Sequence, residues 1–353
     1  MTDGAVDTQQ LTELVEALEA DPVFVMSLGS KELFHSNLLG WFITHHPAVA
    51  EAVTGSAGPV QVEREKLNTD LLVRDDGRPP VVIENKVFAL PDSQQLDRIA
   101  KKFDGQNPRL VLLSLTPPAW GEKAWTSPSG HEWTWLSYEQ LAELLRPAIV
   151  EVAAADDYAG TTLSRWLDLI GRLGDLARLV GQPTLDELVQ LPKHQRDILG
   201  AARLDVPVQK MRFQHIAIEL GKRGLTGVRT DLTNGTALVN WYTDSPRGFS
   251  WGWQLQGEQF RLAIVVEKGH PHYGRSARHK AVRQEEARKH SDFFTFGPIE
   301  GAGPVGPIRK IEFCDFNPDF TYKYVNISDL TIAQAVELGV EYARRIEQLG
   351  SES

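Results

Sequence analysis

Asp70, Glu84 and Lys86 are set out as an acid, a turn and then Glu-x-Lys, within the stretch LNTDLLVRDDGRPPVVIENKVFALPDSQQLDRI. Two carboxylates can share a hard divalent cation through oxygen, and a lysine beside them can orient or polarise a water. That combination suits metal-assisted cleavage of a phosphodiester. It requires the three side chains to meet, and the local sequence supplies a way. Leu67 to Arg74 is short and apolar-rich, Asp75-Asp76-Gly77 is a strong turn signal, and Val81-Val82-Ile83 is β-branched, so the segment reads as a β-hairpin whose second strand is delayed by Pro79 and Pro80. Side chains alternate across a strand. Glu84 and Lys86 therefore share a face with Val82, Asn85 points away with Val81 and Ile83, and Asp70 joins the acidic face from the neighbouring strand. An isolated Glu-x-Lys is usually a solvated ion pair, so the surroundings decide its meaning.

The surroundings are informative on both sides. Downstream, Asp92 or Ser93 is placed to cap a helix that carries Gln94 and Gln95 in its first turn and is then amphipathic through Leu96, Ile99 and Phe103. Upstream, Lys31 to Phe42 has a helical pattern with Leu33, Leu38, Trp41 and Phe42 available to a core, and Glu32 and Ser36 lie one turn apart on it. Val60 to Glu65 reads as a first strand and Arg109 to Leu115 (RLVLLSL) as a fourth.

Taken together, residues 28 to 116 resemble the PD-(D/E)xK nuclease superfamily, in particular its bacterial nuclease-like branch. The resemblance implies a restriction-endonuclease-like α/β core, a mixed sheet flanked by helices in the order αβββαβ. It implies that Asp70, Glu84 and the backbone carbonyl of Asn85 ligate Mg²⁺ or Mn²⁺, that Lys86 serves the attacking water, that Glu32 adds a further carboxylate directly or through water, and that Gln95 bonds the lysine, a metal-bound water or a phosphate. Thr69 stands where the family's name has Pro. Glu63 and Glu65 on the first strand are rival carboxylates, read here as mainly structural.

Net charge is −10, awkward for a chain that binds a polyanion, so cations must be locally concentrated. They are: Lys268 to His290 holds seven Lys or Arg against two Glu, with four of the ten His. Arg275, Arg278, Lys280 and Arg283 fall at helix-compatible spacing and are the expected phosphate contacts, the alternative being an exposed helix balanced by Glu285 and Glu286. His270-x-His272 has no third metal ligand at a recognisable spacing. The single cysteine, Cys314, excludes an intramolecular disulfide framework and a Cys-rich zinc site. No apolar run reaches the length of a membrane span, and the polar start lacks a signal-peptide core, so no membrane association and a cytoplasmic location are expected. The absence of a P-loop or dinucleotide fingerprint argues against ATP-driven activity within the chain.

The remaining pattern gives residues 1–180 to the nuclease-like domain, 181–205 to a helical linker and 206–353 to an α+β domain. The first ends with a Pro/Gly/Trp-rich excursion at 116–130, a fifth strand at Trp133 to Ser137, and helices from Tyr138 and from Thr161. A helix is expected from Leu185. The last domain reads as helix, antiparallel strands, helix, with hairpin turns at Asn234-Gly235 and Gln256-Gly257, a strand pair near Ile308 to Phe313 and Phe320 to Ile327, and a final helix from Thr331. Trp241, Trp251 and Trp253 alternate there, as hairpin packing or as a base-stacking platform. The expected function is a divalent-metal-dependent nuclease, acting on DNA, in restriction or antiphage defence, with a homodimer or a separate defence-system subunit as partner. The alternatives are an inactive nuclease-fold adaptor, or an effector triggered by a signal sensed in the C-terminal domain.

Overall fold

A computed structural model of the chain describes residues 6–29, 32–56, 58–233, 235–243, 248–297, 299, 312–316 and 318–351. These divide into two compact units, Val6–Gln182 with Asp197–Met211, and Pro183–Arg196 with the described residues from Arg212 onward.

In the first unit, helices α1 (Thr8–Glu19), α2 (Pro22–Ser27), α3 (Glu32–His45) and α4 (Pro47–Thr54) precede strands β1 (Val60–Arg64), β2 (Leu71–Asp75) and β3 (Val81–Lys86). Helix α5 (Ser93–Ala100), strands β4 (Arg109–Ser114), β5 (Ala124–Thr126) and β6 (Glu132–Ser137), and helices α6 (Tyr138–Leu145), α7 (Ala148–Ala155) and α8 (Asp157–Leu176) follow. The strands form one mixed sheet in the order β1-β2-β3-β4-β6-β5. β1, β2 and β3 pair antiparallel, while β3, β4 and β6 are parallel. The order αβββαβ is therefore present, with β5 as an addition from the excursion at 116–130.

Each face of this sheet is covered, which is why β3 and β4 are almost continuously apolar. On one side Leu72, Val82, Leu110, Leu112 and Trp133 pack with Leu96, Ile99 and Phe103 of and after α5. On the other, α3 crosses close over β1 and β2. Gly40 makes that approach possible, since a Cβ there would stand 2.9 Å from the Leu71 side chain. Leu33 and Trp41, expected in the core, are exposed on α3, whereas Phe42 is buried. Lys31, the expected first residue of that helix, lies outside the described residues.

The second unit begins differently from expectation. Leu185 to Val189 is not helical, because its backbone pairs with Leu330 to Ala333 through Val189 N–H to Leu330 O, Ile332 N–H to Glu187 O and Ala333 N–H to Leu185 O. Helix α9 (Lys193–Ala201) starts only after Pro192, and α10 (Asp205–Lys222) follows. Strands β7 (Arg229–Thr233), β8 (Thr236–Thr243), β9 (Phe249–Gln256) and β10 (Gln259–Val266), helix α11 (Ala277–Lys289), strands β11 (Cys314–Phe316) and β12 (Phe320–Asn326), and helix α12 (Ile332–Ser351) complete it. The sheet is antiparallel, in the order β11-β12-β10-β9-β8-β7. Asn234 of the expected hairpin turn and residues 308–311 of the expected strand lie outside the described residues. Val239, Trp241, Trp253, Phe260 and Leu262 of one sheet face join side chains of α10, α11 and α12 in a single apolar core. Trp241 and Trp253 are buried there and Trp251 packs against them, so these tryptophans are core packing and not a stacking platform.

Candidate active site

The site lies where β2 begins beside the end of β3. Asp70 stands one residue before β2 instead of within a strand from Leu67, because Lys66–Asn68 forms a 3₁₀ turn with Glu65, Leu67 and Asn68 at positive φ. The turn delivers the Asp70 carboxylate to the third strand, where Oδ2 accepts the Asn85 backbone N–H at 2.7 Å. Glu84, two residues before the end of β3, is almost fully buried. Its Oε1 receives the Lys86 ammonium at 2.7 Å and the Gln95 amide at 2.7 Å. Asp70, Glu84, Lys86 and Gln95 are thus brought together, and the register of β2 against β3 (Leu71 opposite Ile83) follows from the turn at Asp75 to Arg78.

Burial sets the electrostatics. Removal from water, with the neighbouring Asp70 acting the same way, pushes the Glu84 carboxyl up to about 7 against the opposing pull of Lys86. Asp70 is likewise pushed up by burial, against the stabilising Asn85 N–H and the Lys86 charge. Two acids whose charged forms are both disfavoured, with one lysine between them, are short of positive charge. Glu84 Oε2 is buried and has no hydrogen bond of ordinary geometry, and the nearby Asp70 backbone N–H offsets the carboxyl's burial only in small part.

These features fit a hard divalent cation: the donors are all oxygen, and an orphaned carboxylate atom is turned inward. Among the described residues no three His, Cys, Asp or Glu side chains converge as a metal-binding group. A cation here would rest on Asp70 and Glu84, with the Asn85 carbonyl and water as the remaining oxygens.

Glu32, implied as a further carboxylate directly or through water, is engaged through one oxygen. Its Oε1 accepts the N–H groups of Phe88 (3.0 Å) and Ala89 (2.7 Å), holding the connection that leaves β3 for α5. Lys210 takes the Phe88 carbonyl from the same unit. The sequence did not point to what lies behind β3. The Asn85 amide donates to Glu32 O at 3.1 Å and Ser36 Oγ at 2.9 Å, and the buried Tyr138 hydroxyl donates to Asn85 Oδ1. Asn85 therefore ties α3 to β3 and Tyr138 locks its amide, which fixes the strand end that carries Glu84 and Lys86. Ser36, one turn after Glu32, was the available signal for half of this. Nothing in the sequence around Tyr138 marked the other half.

The rival carboxylate Glu63 is committed to Lys66 at 2.7 Å and Arg74 at 3.4 Å, and these cations hold it below the usual carboxylate range. On the sheet face that carries Glu84 and Lys86, Ser114 lies opposite Lys86 in register and accepts the Trp135 indole N–H at 3.0 Å. Beyond it Trp120 and Trp125 stack at 5.0 Å, so the excursion at 116–130 brings aromatic surface to this side of the sheet.

In the second unit, Arg275 and Arg278 are exposed and Lys280 is half-buried, and among the described residues none of the three has an acidic partner within ion-pair distance. Arg283 is a correction. It is fully buried, donates to the carbonyls of Gly274 (2.9 Å), Pro318 (2.8 Å) and His272 (3.3 Å) and faces Asp315 at 3.6 Å, so it cannot contact a phosphate. Helical spacing placed it with its neighbours, but its position on α11 points it at β12. His272 stacks on Phe249 and His270 meets that ring edge-on, and among the described residues they complete no three-ligand group.

No helix among the described residues is long and apolar enough to cross a membrane. Neither the curated proteins nor the solved structures yield a match to this chain. Residues 23–167, which contain Glu32, Asp70, Glu84, Lys86 and Gln95, match the family model of the PD-(D/E)XK nuclease superfamily, as the motif and the element order led one to expect.

Proposed function

We propose that this protein is a divalent-metal-dependent nuclease that hydrolyses DNA, with Asp70, Glu84 and Lys86 as its catalytic group. The observation that carries the reading is the buried Glu84 carboxyl, bonded to Lys86 through Oε1, beside the second carboxylate of Asp70 and with Oε2 left without a hydrogen bond. Asp70 and Glu84 would hold Mg²⁺ or Mn²⁺ together with the Asn85 carbonyl. When bound, the cation supplies Lewis-acid stabilisation of the phosphate and lowers the pKa of a coordinated water. The chain's own groups do the rest. Lys86, held against Glu84 Oε1 at 2.7 Å, would orient the attacking water. Gln95 keeps Glu84 in its rotamer by the 2.7 Å amide contact. Glu32 stiffens the strand exit so that Lys86 cannot drift from its strand.

Incubation with supercoiled DNA, linear DNA and RNA in Mg²⁺, Mn²⁺ and EDTA tests the reading. Asp70→Ala and Lys86→Ala should each lower metal-dependent cleavage by about 10²-fold or more, the scale at which loss of charge stabilisation is felt. Cleavage that survives both substitutions would remove the assignment. Absence of cleavage under every condition, with nucleic-acid binding equal in wild type and variants, favours the adaptor reading.

The exposed cations before and on α11 support a share in DNA binding by the second unit. Neutralising Arg275, Arg278 and Lys280 together should weaken DNA binding at low salt. It should also flatten the plot of log K against log salt by about 2 to 3 units, since each phosphate contact contributes about 0.9. An unchanged slope in fluorescence anisotropy would leave the segment as ordinary surface. A role in restriction or antiphage defence, and a homodimer or separate subunit for double-strand cleavage, belong to the same proposal; they rest on the resemblance alone.

A further inference from the structure

The second unit's sheet has two faces of opposite character. One is the apolar face built into the core with α10, α11 and α12. The other is read off the strand registers. Tyr242 lies opposite Gly252, Gly252 opposite Ala263, and Ala263 opposite Tyr322. In the next row, Arg229 lies opposite Asn240, Asn240 opposite Gln254, Gln254 opposite Arg261, and Arg261 opposite Tyr324. Residues in cross-strand register share a face, so tyrosines, amides and two arginines are gathered on one surface.

Three properties set this surface apart from a merely solvated one. First, Arg261 is half-buried and its charge is not compensated. Its guanidinium bonds the side-chain carbonyls of Gln254 (3.0 Å), Gln259 (2.7 Å) and Gln256 and lies 4.8 Å from the centre of the Tyr322 ring, and among the described residues no carboxylate pairs with it. Neutral amides hold the group in place without cancelling its charge, and a half-buried cation with no counter-ion favours an anion. Second, the Tyr242 hydroxyl is buried and has no hydrogen-bond partner. Gly252 makes room for that ring, as a Cβ there would stand 2.3 Å from Tyr242 Cδ1. Third, Phe320, Tyr322 and Tyr324 form a ladder along β12 with ring centroids 5.1 and 6.1 Å apart, and the two tyrosines remain partly accessible. Aromatic faces in series with an arginine are a surface on which planar bases stack.

We propose that this face binds a nucleobase that carries a phosphate. The base stacks on Tyr324, its edge meets the amides of Gln254 and Asn240, and the phosphate sits against Arg261 and the Tyr242 hydroxyl. Tyr322 is a positioning residue that holds the guanidinium. The same chemistry comes from a free nucleotide or from a segment of single strand, and Arg229 lies about 14 Å along the row, three strand spacings away, where a second phosphate of a strand would be met. The site is separate from Asp70 and Glu84, and the inference does not depend on their reading.

Isothermal titration of the full chain in EDTA with AMP, adenosine and 5′-phosphorylated tetradeoxythymidine tests it. AMP or the oligonucleotide should bind at least ten times more tightly than adenosine, and Arg261→Gln and Tyr324→Leu should each lose at least tenfold. Tyr324→Phe should keep wild-type affinity. Tyr242→Phe should melt as the wild type does, because its hydroxyl has no partner to lose, yet bind about threefold to tenfold more weakly; it keeps the test decisive should Arg261→Gln fail to fold. Saturable AMP binding identifies a free nucleotide as sufficient, and binding of the oligonucleotide alone identifies a strand segment. Flat titrations with all three probes, or binding by Arg261→Gln and Tyr324→Leu equal to wild type, overturns the proposal. So does binding abolished by Asp70→Ala, which would assign the signal to the other unit.

Discussion

Glu84→Gln is expected to make the protein more stable above pH 7 while lowering metal-dependent cleavage by about 10³-fold or more. The reason is that the carboxylate is held where the fold disfavours its charge. In the folded chain Glu84 titrates near 7, against an ordinary value of 4.5. Between those values the folded state binds the proton more tightly than the unfolded state does, so stability falls as pH rises through this window. The loss is complete above the folded value and absent below the unfolded one. Glutamine keeps the shape and can still accept from Lys86 and Gln95 through its carbonyl, but it carries no charge to desolvate. The variant should therefore melt with the wild type near pH 4.5 and exceed it at pH 8 by on the order of 2 kcal/mol. His35 tilts the curve the other way. Burial lowers it to about 4, so its contribution is lost as pH falls from 6.5 towards 4, but both proteins share this and it cancels in the comparison. Mg²⁺ should raise the wild-type melting temperature above pH 7, because it binds the folded site, and should do little for the variant. A variant that melts below wild type at pH 8, or an equal response of both to Mg²⁺, would refute the account.

That trade of stability for a charged site explains why the motif was legible while its support was not. Glu84 and Lys86 share a face because strands alternate, and Asp70 reaches them because the turn at Asp75 to Gly77 fixes a register; both are local rules that a sequence displays. The 3₁₀ turn before Asp70 was hidden, since Leu67 looks like the start of a strand and yet is exposed at positive φ. The Asn85, Ser36 and Tyr138 network joins residues 49 and 53 positions apart, and no periodicity reports such a pairing. In the second unit the alternation of β8, β9 and β10 was visible, but which face the helices cover was not. Trp253 and Tyr322 are both aromatic strand residues; only the packing of α10, α11 and α12 makes one core and leaves the other partly accessible.

The same contrast governs the basic segment, where two adjacent turns of one helix should behave in opposite ways. Arg283→Met is expected to destabilise the protein by about 3–5 kcal/mol, the cost of breaking a buried ion pair from one side. The guanidinium is fully buried, and its removal takes this donor from the carbonyls of His272 and Gly274, leaves Pro318 O with only the Gly274 N–H, and leaves Asp315 half of a pair. Thr321 Oγ1 loses its Arg283 contact at 3.2 Å, and with it the tie between α11 and β12. Methionine fills much of the volume but satisfies none of these groups, so the lost contacts and not a cavity account for the effect. The comparison is Arg278→Gln, one turn and a half earlier on the exposed side of the same helix, which should change stability by less than about 0.5 kcal/mol. Urea denaturation followed by circular dichroism separates the two, and DNA binding inverts their order: Arg278→Gln weakens it in a salt-dependent way, whereas Arg283→Met reduces only the fraction of chain that is folded. Equal stability of Arg283→Met and wild type would mean that the buried guanidinium is not what joins α11 to the sheet, and would return Arg283 to the surface cations from which its burial removed it.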